Sequence, residues 1–142
     1  MSEYGTGEVQ WGPGLYADPT AVQPAINLAA RIVGDMTDLR PTAWILWDGI
    51  ENWEQNIQEN ISWGAIWAKY LDPNQTWTVA KQYYGYENFT KYIRPGARFI
   101  ASGDAQSIAA YDPNSNRLTI VTYNDATAAR SGLYEWPTSL RA

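Results

Sequence analysis

The stretch that decides the fold lies at residues 42–67 and reads TAWILWDGIENWEQNIQENISWGAIW. It begins with an apolar run at 43–47 and continues into a segment rich in carboxylates and carboxamides. Five of the chain's eight tryptophans lie within it. A short buried strand that opens at its C-terminal end into a polar, aromatic loop is how a barrel of parallel strands presents a ligand site. The stretch therefore predicts a buried strand followed by a binding loop.

The side chains of this loop suit a sugar ligand. Indole rings can stack on the CH faces of a sugar ring, and neighbouring acids or amides can hydrogen-bond its hydroxyl edges. Because a central strand residue must pack, we expect Trp44 to belong to the core. Trp47 and Trp53, which stand next to Asp48 and Glu54, are instead expected to contact ligand.

Composition limits the classes of function. With 142 residues, 45% of them hydrophobic and 14% aromatic, the chain is expected to fold as one ordinary domain with a real core. Its net charge of −5 disfavours nucleic acid, whose phosphates require a basic patch. No apolar run approaches the roughly 20 residues of a membrane span, so no span is expected.

The absence of cysteine and histidine limits the chemistry further. Disulfides, thiolate sites, a Ser-His-Asp triad and histidine-ligated zinc are all excluded. Carboxylates are therefore the main catalytic candidates, and neither a metal nor a cofactor is expected.

The N-terminal 16 residues contain four glycines and a proline, which predicts a loop. An acid, Glu3, and an aromatic residue, Trp11, lie in this segment. Such a composition is typical of a loop that lines a cleft.

A helix is predicted from about Gln23, since apolar residues then recur at helical spacing as far as residue 39. Pro41 ends it. The order of loop, helix, short link and strand, with the strand at 43–47 buried on both faces, is half of a β/α repeat in a parallel sheet.

Beyond the binding loop, a second helix is predicted at 78–93 and is stopped by an Arg-Pro-Gly sequence. The pattern then changes to short strands separated by turn residues, which predicts an antiparallel meander. Its three strands are expected at 98–101, 107–111 and 118–123.

Three separated motifs strongly resemble the C-terminal part of glycoside hydrolase family 30. They are SEYG at 2–5, AWILW at 43–47, and KQYY at 81–84 running into FTKYIRPGARF at 89–99. AAY at 109–111 and the strand that follows fit the β-domain of that family. The resemblance covers residues 1–124.

The resemblance implies a fold of class α/β plus β. Residues 1–96 would be the last two β/α units of a (β/α)₈ barrel, and residues 97–142 the start of an antiparallel β-sandwich. The first six strands would then be missing, so the chain would lack the N-terminal barrel portion of its parent enzyme. That enzyme is expected to be secreted.

The resemblance also implies a function. Family members hydrolyse β-linked sugars with retention, and their nucleophile matches Glu3, while Trp47 matches an aromatic residue of the sugar site. Asp48, Glu51 and Trp53 lie in the loop expected to contact substrate, although no family motif covers them, and Trp11 is a further candidate. The substrate would be a polysaccharide or oligosaccharide, first of all β-1,6-galactan. Because the acid/base glutamate would lie in the missing portion, the chain alone is expected to be inactive.

Two alternatives belong to other classes. A non-catalytic carbohydrate-binding module would explain the tryptophans and the β-rich C-terminal part, but not the order of acidic loop, helix, strand and helix. A structural β-rich domain would explain the apolar helix faces, but not the acids beside the tryptophans. Glucosylceramide-like substrates, β-1,6-glucan and xylan remain alternatives to galactan.

Overall fold

The computed structural model describes the backbone of Tyr4–Gly5 and all of residues 17–135. In chain order the elements are β1 (Tyr4–Gly5), α1 (Gln23–Asp38), β2 (Leu46–Trp47), β3 (Ile50–Asn52), α2 (Trp53–Glu59), β4 (Ile66–Ala68), β5 (Trp77–Val79), α3 (Lys81–Tyr92), β6 (Arg98–Ile100), β7 (Ser107–Asp112) and β8 (Arg117–Thr122).

The strands of the described residues form three small sheets. β1 and β2 pair in parallel, β3-β4-β5 form a mixed three-stranded sheet, and β6-β7-β8 form an antiparallel meander. Parallel strands need a crossover connection, and α1 provides it between β1 and β2. α2 likewise connects the parallel strands β3 and β4, so the described residues contain two βαβ units and no closed barrel.

The main core lies between α1, α3 and the meander. The apolar face of α1 buries Leu28, Ile32 and Val33, which pack with Phe89 of α3 and Ile108 of β7. The close approach of the two helices requires a glycine in α3. A Cβ atom at position 85 would lie 3.1 Å from the carbonyl oxygen of Ala25. The predicted helix from Gln23 is confirmed, with Pro24 tolerated in its first turn.

The C-terminal meander is confirmed at all three predicted strands. Partly buried side chains of β8 and the residue after it, including Val121 and Tyr123, complete the core. The hydroxyl of Thr119 donates to the carbonyl oxygen of Tyr92 at 3.2 Å and ties the meander to the end of α3. Arg130 forms an ion pair with Asp104 at 2.7 Å, which holds the segment after β8 on the sheet.

The strand predicted at 43–47 is only partly correct. Regular pairing is limited to β2, and the segment is buried on one face, not two. Trp44 and Leu46 pack against the core, whereas Ile45 and Trp47 are 52% and 48% exposed. The second face of this segment is therefore about half exposed.

Two further expectations were wrong. Residues 78 and 79 belong to β5, and α3 begins only at Lys81, because the backbone of β5 pairs with β4. The glycine-rich segment predicted as a loop contains the short strand β1. In addition, the long binding loop contains β3, α2 and β4, which the sequence did not indicate. No helix in the described part of the chain has the length and apolar character needed to cross a membrane.

Candidate functional site

The candidate site lies where the chain passes from one sheet to the next. β2 pairs with β1, whereas β3 pairs with β4. Between them the carbonyl oxygens of Asp48 and Gly49 accept hydrogen bonds from the amides of Ala65 and Ile66, at 3.1 and 3.0 Å. The peptide bond between Trp47 and Asp48 is cis. Trp47 and Asp48 thus lie at the C-terminal end of a parallel strand, the edge at which α/β proteins bind ligands.

The two tryptophans of the 43–47 segment have different environments. Trp44 packs against the core and its ring centroid lies 5.9 Å from that of Tyr86. Its indole nitrogen donates to Oδ2 of Asp35 at 2.9 Å, so its prediction as a core residue is confirmed. Trp47 is 48% exposed, and its ring is therefore accessible in the described part of the structure.

Asp48 and Glu51 face a common glycine. A Cβ atom on Gly64 would lie 2.5 Å from Cβ of Glu51 and 3.2 Å from Oδ1 of Asp48. Gly64 also has a φ of +74°, which side chains disfavour, so glycine is required at this position on two counts. The glycine lets the backbone approach both acidic residues.

The Asp48 carboxyl has an unusual protonation equilibrium. Burial is the main cause that raises its pKa to about 6, and the negative charge of Glu51 raises it further. Its Oδ1 is buried and has no hydrogen-bond partner within the described part of the chain. Next to an accessible indole, this carboxyl can donate a hydrogen bond when protonated and accept one when ionised.

Buried amide side chains hold the glycine in place. Nδ2 of Asn56 donates to the carbonyl of Trp63 at 3.1 Å, and its Oδ1 accepts from the amide of Trp63 at 3.3 Å. The Nε2 of Gln82 donates to the carbonyl of Gly64, and Oε1 of Gln82 accepts from the Ser62 hydroxyl at 3.4 Å. Sequence reasoning missed these positioning residues, because nothing local distinguishes a buried amide from a solvated one.

Trp53 lies in a different environment from Trp47. It is partly buried, and its ring contacts that of the fully buried Trp67 edge-on at 5.8 Å between centroids. The ammonium of Lys69 lies 4.7 Å from the Trp53 ring centroid, a cation–π contact. Substrate contact by Trp53 stays a prediction, and its packing against Trp67 gives it a structural role as well.

Two other acids of this loop, Glu51 and Glu54, have backbone partners. Oε1 of Glu51 accepts from the amide of Asn52 at 2.7 Å, and Oε1 of Glu54 accepts from the amide of Leu71 at 3.3 Å. Glu51 thus lies beside Asp48 with one oxygen engaged. The structure therefore brings together Trp47, Asp48 and Glu51.

Two predicted site residues, Glu3 and Trp11, lie outside the described residues. Only the backbone of Tyr4–Gly5 is described next to them, and it pairs with Leu46–Trp47. No cluster of acidic residues suited to a metal ion exists in the part of the chain that the structure describes.

Comparison with known proteins gives one relative. The chain is 31% identical over 105 residues to a protein named endo-beta-1,6-galactanase from Hypocrea rufa. The match covers 72% of the chain and 19% of that relative, so the chain spans about a fifth of the length of the curated protein it matches. No protein-family model matches the chain, and no solved structure matches it. The match supports a relationship to glycoside hydrolases.

Proposed function

We propose that this chain is part of a retaining glycoside hydrolase of family 30 that cleaves β-linked polysaccharide, with β-1,6-galactan as the first candidate substrate. The similarity to a protein named endo-beta-1,6-galactanase supports this substrate class. Under this proposal the chain forms the last two β/α units of a (β/α)₈ barrel and the beginning of a β-sandwich. The rest of the barrel is supplied by a longer, secreted polypeptide.

The observation that carries the proposal is the pairing of β1 with β2. It aligns Tyr4 with Leu46 and Gly5 with Trp47, in parallel and across the helix α1. The described half of the SEYG motif therefore runs directly beside β2, which ends at Trp47 and is followed by Asp48. This is the arrangement that two consecutive strands of a parallel barrel would have.

In the proposed reaction, the Glu3 carboxylate attacks the anomeric carbon and forms a glycosyl-enzyme intermediate. A carboxylic acid from outside these 142 residues protonates the leaving oxygen and then activates the water that releases the sugar. Trp47 provides a stacking face for the sugar ring, and Asp48 bonds a hydroxyl. Burial keeps the pKa of Asp48 raised, and the charge of Glu51 raises it further.

The free face of the 43–47 segment supports the proposal of a longer protein. Ile45 and Trp47, which share this face, are half exposed. Exposed apolar side chains of this kind are typical of a surface that packs against another segment. In the proposed barrel, part of this surface packs against side chains from the other strands, and Trp47 at its end faces substrate.

The experiment that tests the proposal is Glu3→Gln in the longer protein that the proposal requires. The isosteric amide cannot act as a nucleophile, so hydrolysis of an activated aryl galactoside should fall by several orders of magnitude while galactan binding persists. Glu8→Gln, in the same segment, is the matched control and should leave the rate unchanged. A wild-type rate for Glu3→Gln contradicts the nucleophile assignment. If the wild type and the Glu3→Gln variant both bind galactan and neither hydrolyses it, the non-catalytic alternative is supported.

A further inference from the structure

The β3-β4-β5 sheet has one buried face and one open face. Glu51, Trp67 and Thr78 are cross-strand neighbours on one face, where Trp67 is completely buried against Ala17 and Ala80. Residues directly opposite one another in a sheet point to the same side, and successive residues of a strand to opposite sides. The next row of cross-strand neighbours, one residue further along in the register, therefore lies on the other face.

That row is Asn52, Ala68 and Trp77, one residue from each strand. Trp77 is 64% exposed, although tryptophan is a residue that proteins usually cover. Its cross-strand partner is alanine, whose methyl group leaves the indole ring uncovered. At the other end of the row, Nδ2 of Asn52 has no acceptor among the described residues, while Oδ1 caps α2 by accepting from the amide of Gln55 at 3.2 Å.

The hairpin that carries Ala68 and Trp77 is held by several hydrogen bonds. The hairpin joining β4 to β5 is closed by hydrogen bonds from Lys69 N to Thr76 O at 2.9 Å and from Gln75 N to Asp72 O at 2.8 Å. Glu54 ties the same hairpin to α2 through the amide of Leu71. A ring held on a paired strand loses little freedom on binding, which favours recognition by stacking.

We propose that the row Asn52–Ala68–Trp77 is an accessory sugar subsite that binds units of a β-linked galactan beyond those held at Trp47 and Asp48. The proposal rests on the proposed function, and it adds residues that the sequence analysis did not select. An indole face, a small residue beside it and a free amide donor provide one stacking and one hydrogen-bonding element for a sugar ring.

The row is continuous with the candidate site. β3 begins two residues after Asp48, and Asn52 ends it. Strands in a sheet lie about 4.8 Å apart, so the Trp77 backbone lies roughly 10 Å from that of Asn52 across two strands. Trp47 lies five residues before Asn52 along the chain, so we expect a chain of several sugar units, and not a disaccharide, to reach from Trp47 to Trp77.

The competing occupant of this face is protein. Ile50 and the partly buried Ile66 and Val79 lie on the same side as Trp77, and aliphatic residues of this kind also suit packing against another polypeptide segment. The two occupants differ in their response to sugar. Only the subsite makes the environment of Trp77 depend on oligosaccharide length.

The test records the indole N–H signals of the eight tryptophans by NMR while β-1,6-linked galacto-oligosaccharides of two to six units are added. Trp77→Phe and Trp47→Phe identify the two signals. We expect the disaccharide to shift the Trp47 signal alone and the hexasaccharide to shift both. In parallel, Trp77→Ala should raise the Kd of the hexasaccharide about fivefold or more and leave that of the disaccharide nearly unchanged. Tyr92→Ala, which removes an exposed ring on α3, should alter neither.

The outcomes separate the two proposals. If the hexasaccharide shifts the Trp47 signal but not that of Trp77, and Trp77→Ala binds as the wild type does, the subsite is overturned and the proposed function stands. If no oligosaccharide shifts either signal, the subsite is overturned, and the Glu3→Gln experiment in the longer protein decides the proposed function. Because Trp77 is mostly exposed, its replacement by phenylalanine should leave the fold intact, and the signals of the other seven tryptophans verify this.

Discussion

Asn56 and Trp63 exchange two hydrogen bonds: the side-chain amide of Asn56 donates to the Trp63 carbonyl at 3.1 Å and accepts from the Trp63 amide at 3.3 Å. Asn56 is completely buried in α2. The exchange satisfies both backbone groups of Trp63, and it fixes the residue immediately before Gly64. The position of the glycine that contacts Asp48 and Glu51 therefore depends on an amide eight residues earlier in the chain.

Asn56→Ala should destabilise the fold strongly for a single substitution. The two backbone groups of Trp63 would lose their partners, at about 1–3 kcal/mol for each group that stays buried and unpaired. Chemical denaturation measures the loss. Asn74→Ala, in an exposed turn, is the control and should change stability little. Equal stabilities for the two variants would contradict the role assigned to Asn56.

Gly64→Ala should be destabilising, whereas the same substitution at Gly34 should be neutral or stabilising. At position 64 the methyl group would meet Cβ of Glu51 at 2.5 Å and the backbone would have to keep a φ of +74°. The left-handed conformation alone costs about 1–3 kcal/mol for a residue with a side chain. At position 34, within α1, nothing lies within 4 Å, and alanine favours a helix by about 0.5–1 kcal/mol relative to glycine. Thermal unfolding of both variants compares them directly.

Trp47→Ala should weaken sugar binding more than it weakens folding. A half-exposed ring contributes less to stability than a fully buried one, whose removal costs about 3–5 kcal/mol. Loss of one stacking face should cost about 1–3 kcal/mol of binding, the range found for aromatic side chains that stack on nucleic-acid bases. Oligosaccharide titration and thermal melts on the same samples separate the two effects. A large drop in melting temperature with unchanged affinity would make Trp47 a core residue.

Residues 1–142 by themselves should release no reducing sugar from β-1,6-galactan, β-1,6-glucan or xylan. Retention needs two carboxyl groups about 5–5.5 Å apart, and the proposed function assigns only Glu3. Turnover by the isolated chain that disappears in Glu3→Gln would require a second catalytic acid within it. Gel filtration run in parallel would detect self-association through the exposed Ile45 and Trp47.

The elements that the sequence predicted well are those in which an apolar pattern recurs over many residues, or in which residues that favour turns mark the ends of strands. The apolar face of α1 recurs over four turns, and the turn between β7 and β8 is built by Asp112, whose carboxylate accepts from the amide of Asn114 at 2.9 Å. Both patterns involve residues close together in the sequence, so they can be recognised without knowledge of the tertiary structure.

The elements that the sequence missed depend on distant partners. β3, β4 and β5 have three residues each, too few to show a two-residue period. Thr78 and Val79 fit a helical pattern as well as a strand, and their pairing with Trp67 and Ile66 decides between the two. In the site, the burial of Asn56 and Gln82 follows from what packs around them, because amides are usually exposed.

Asp48→Asn should remove a pH dependence of stability between about pH 4 and 6. Burial and the charge of Glu51 raise the pKa of Asp48 from 3.8 to about 6, so within this window the folded state binds a proton that the unfolded state has lost. The wild-type free energy of unfolding should therefore fall, relative to that of the variant, as pH rises from 4 to 6, and the difference should become constant above pH 6. Urea denaturation at pH 4, 5, 6 and 7 measures it.

Asp112→Asn provides a control of opposite sign. The Ser115 hydroxyl, at 2.6 Å, is the main cause that lowers the pKa of Asp112, so its stabilising effect is present above pH 4 and is lost as pH falls below that value. The wild-type advantage over Asp112→Asn should therefore be constant from pH 4 to 7 and shrink only at more acidic pH. If the difference between wild type and Asp48→Asn is equally constant from pH 4 to 7, Asp48 ionises as a solvated carboxylate. The Asp48 carboxylate would then only accept hydrogen bonds from the sugar, and never donate one, throughout that pH range.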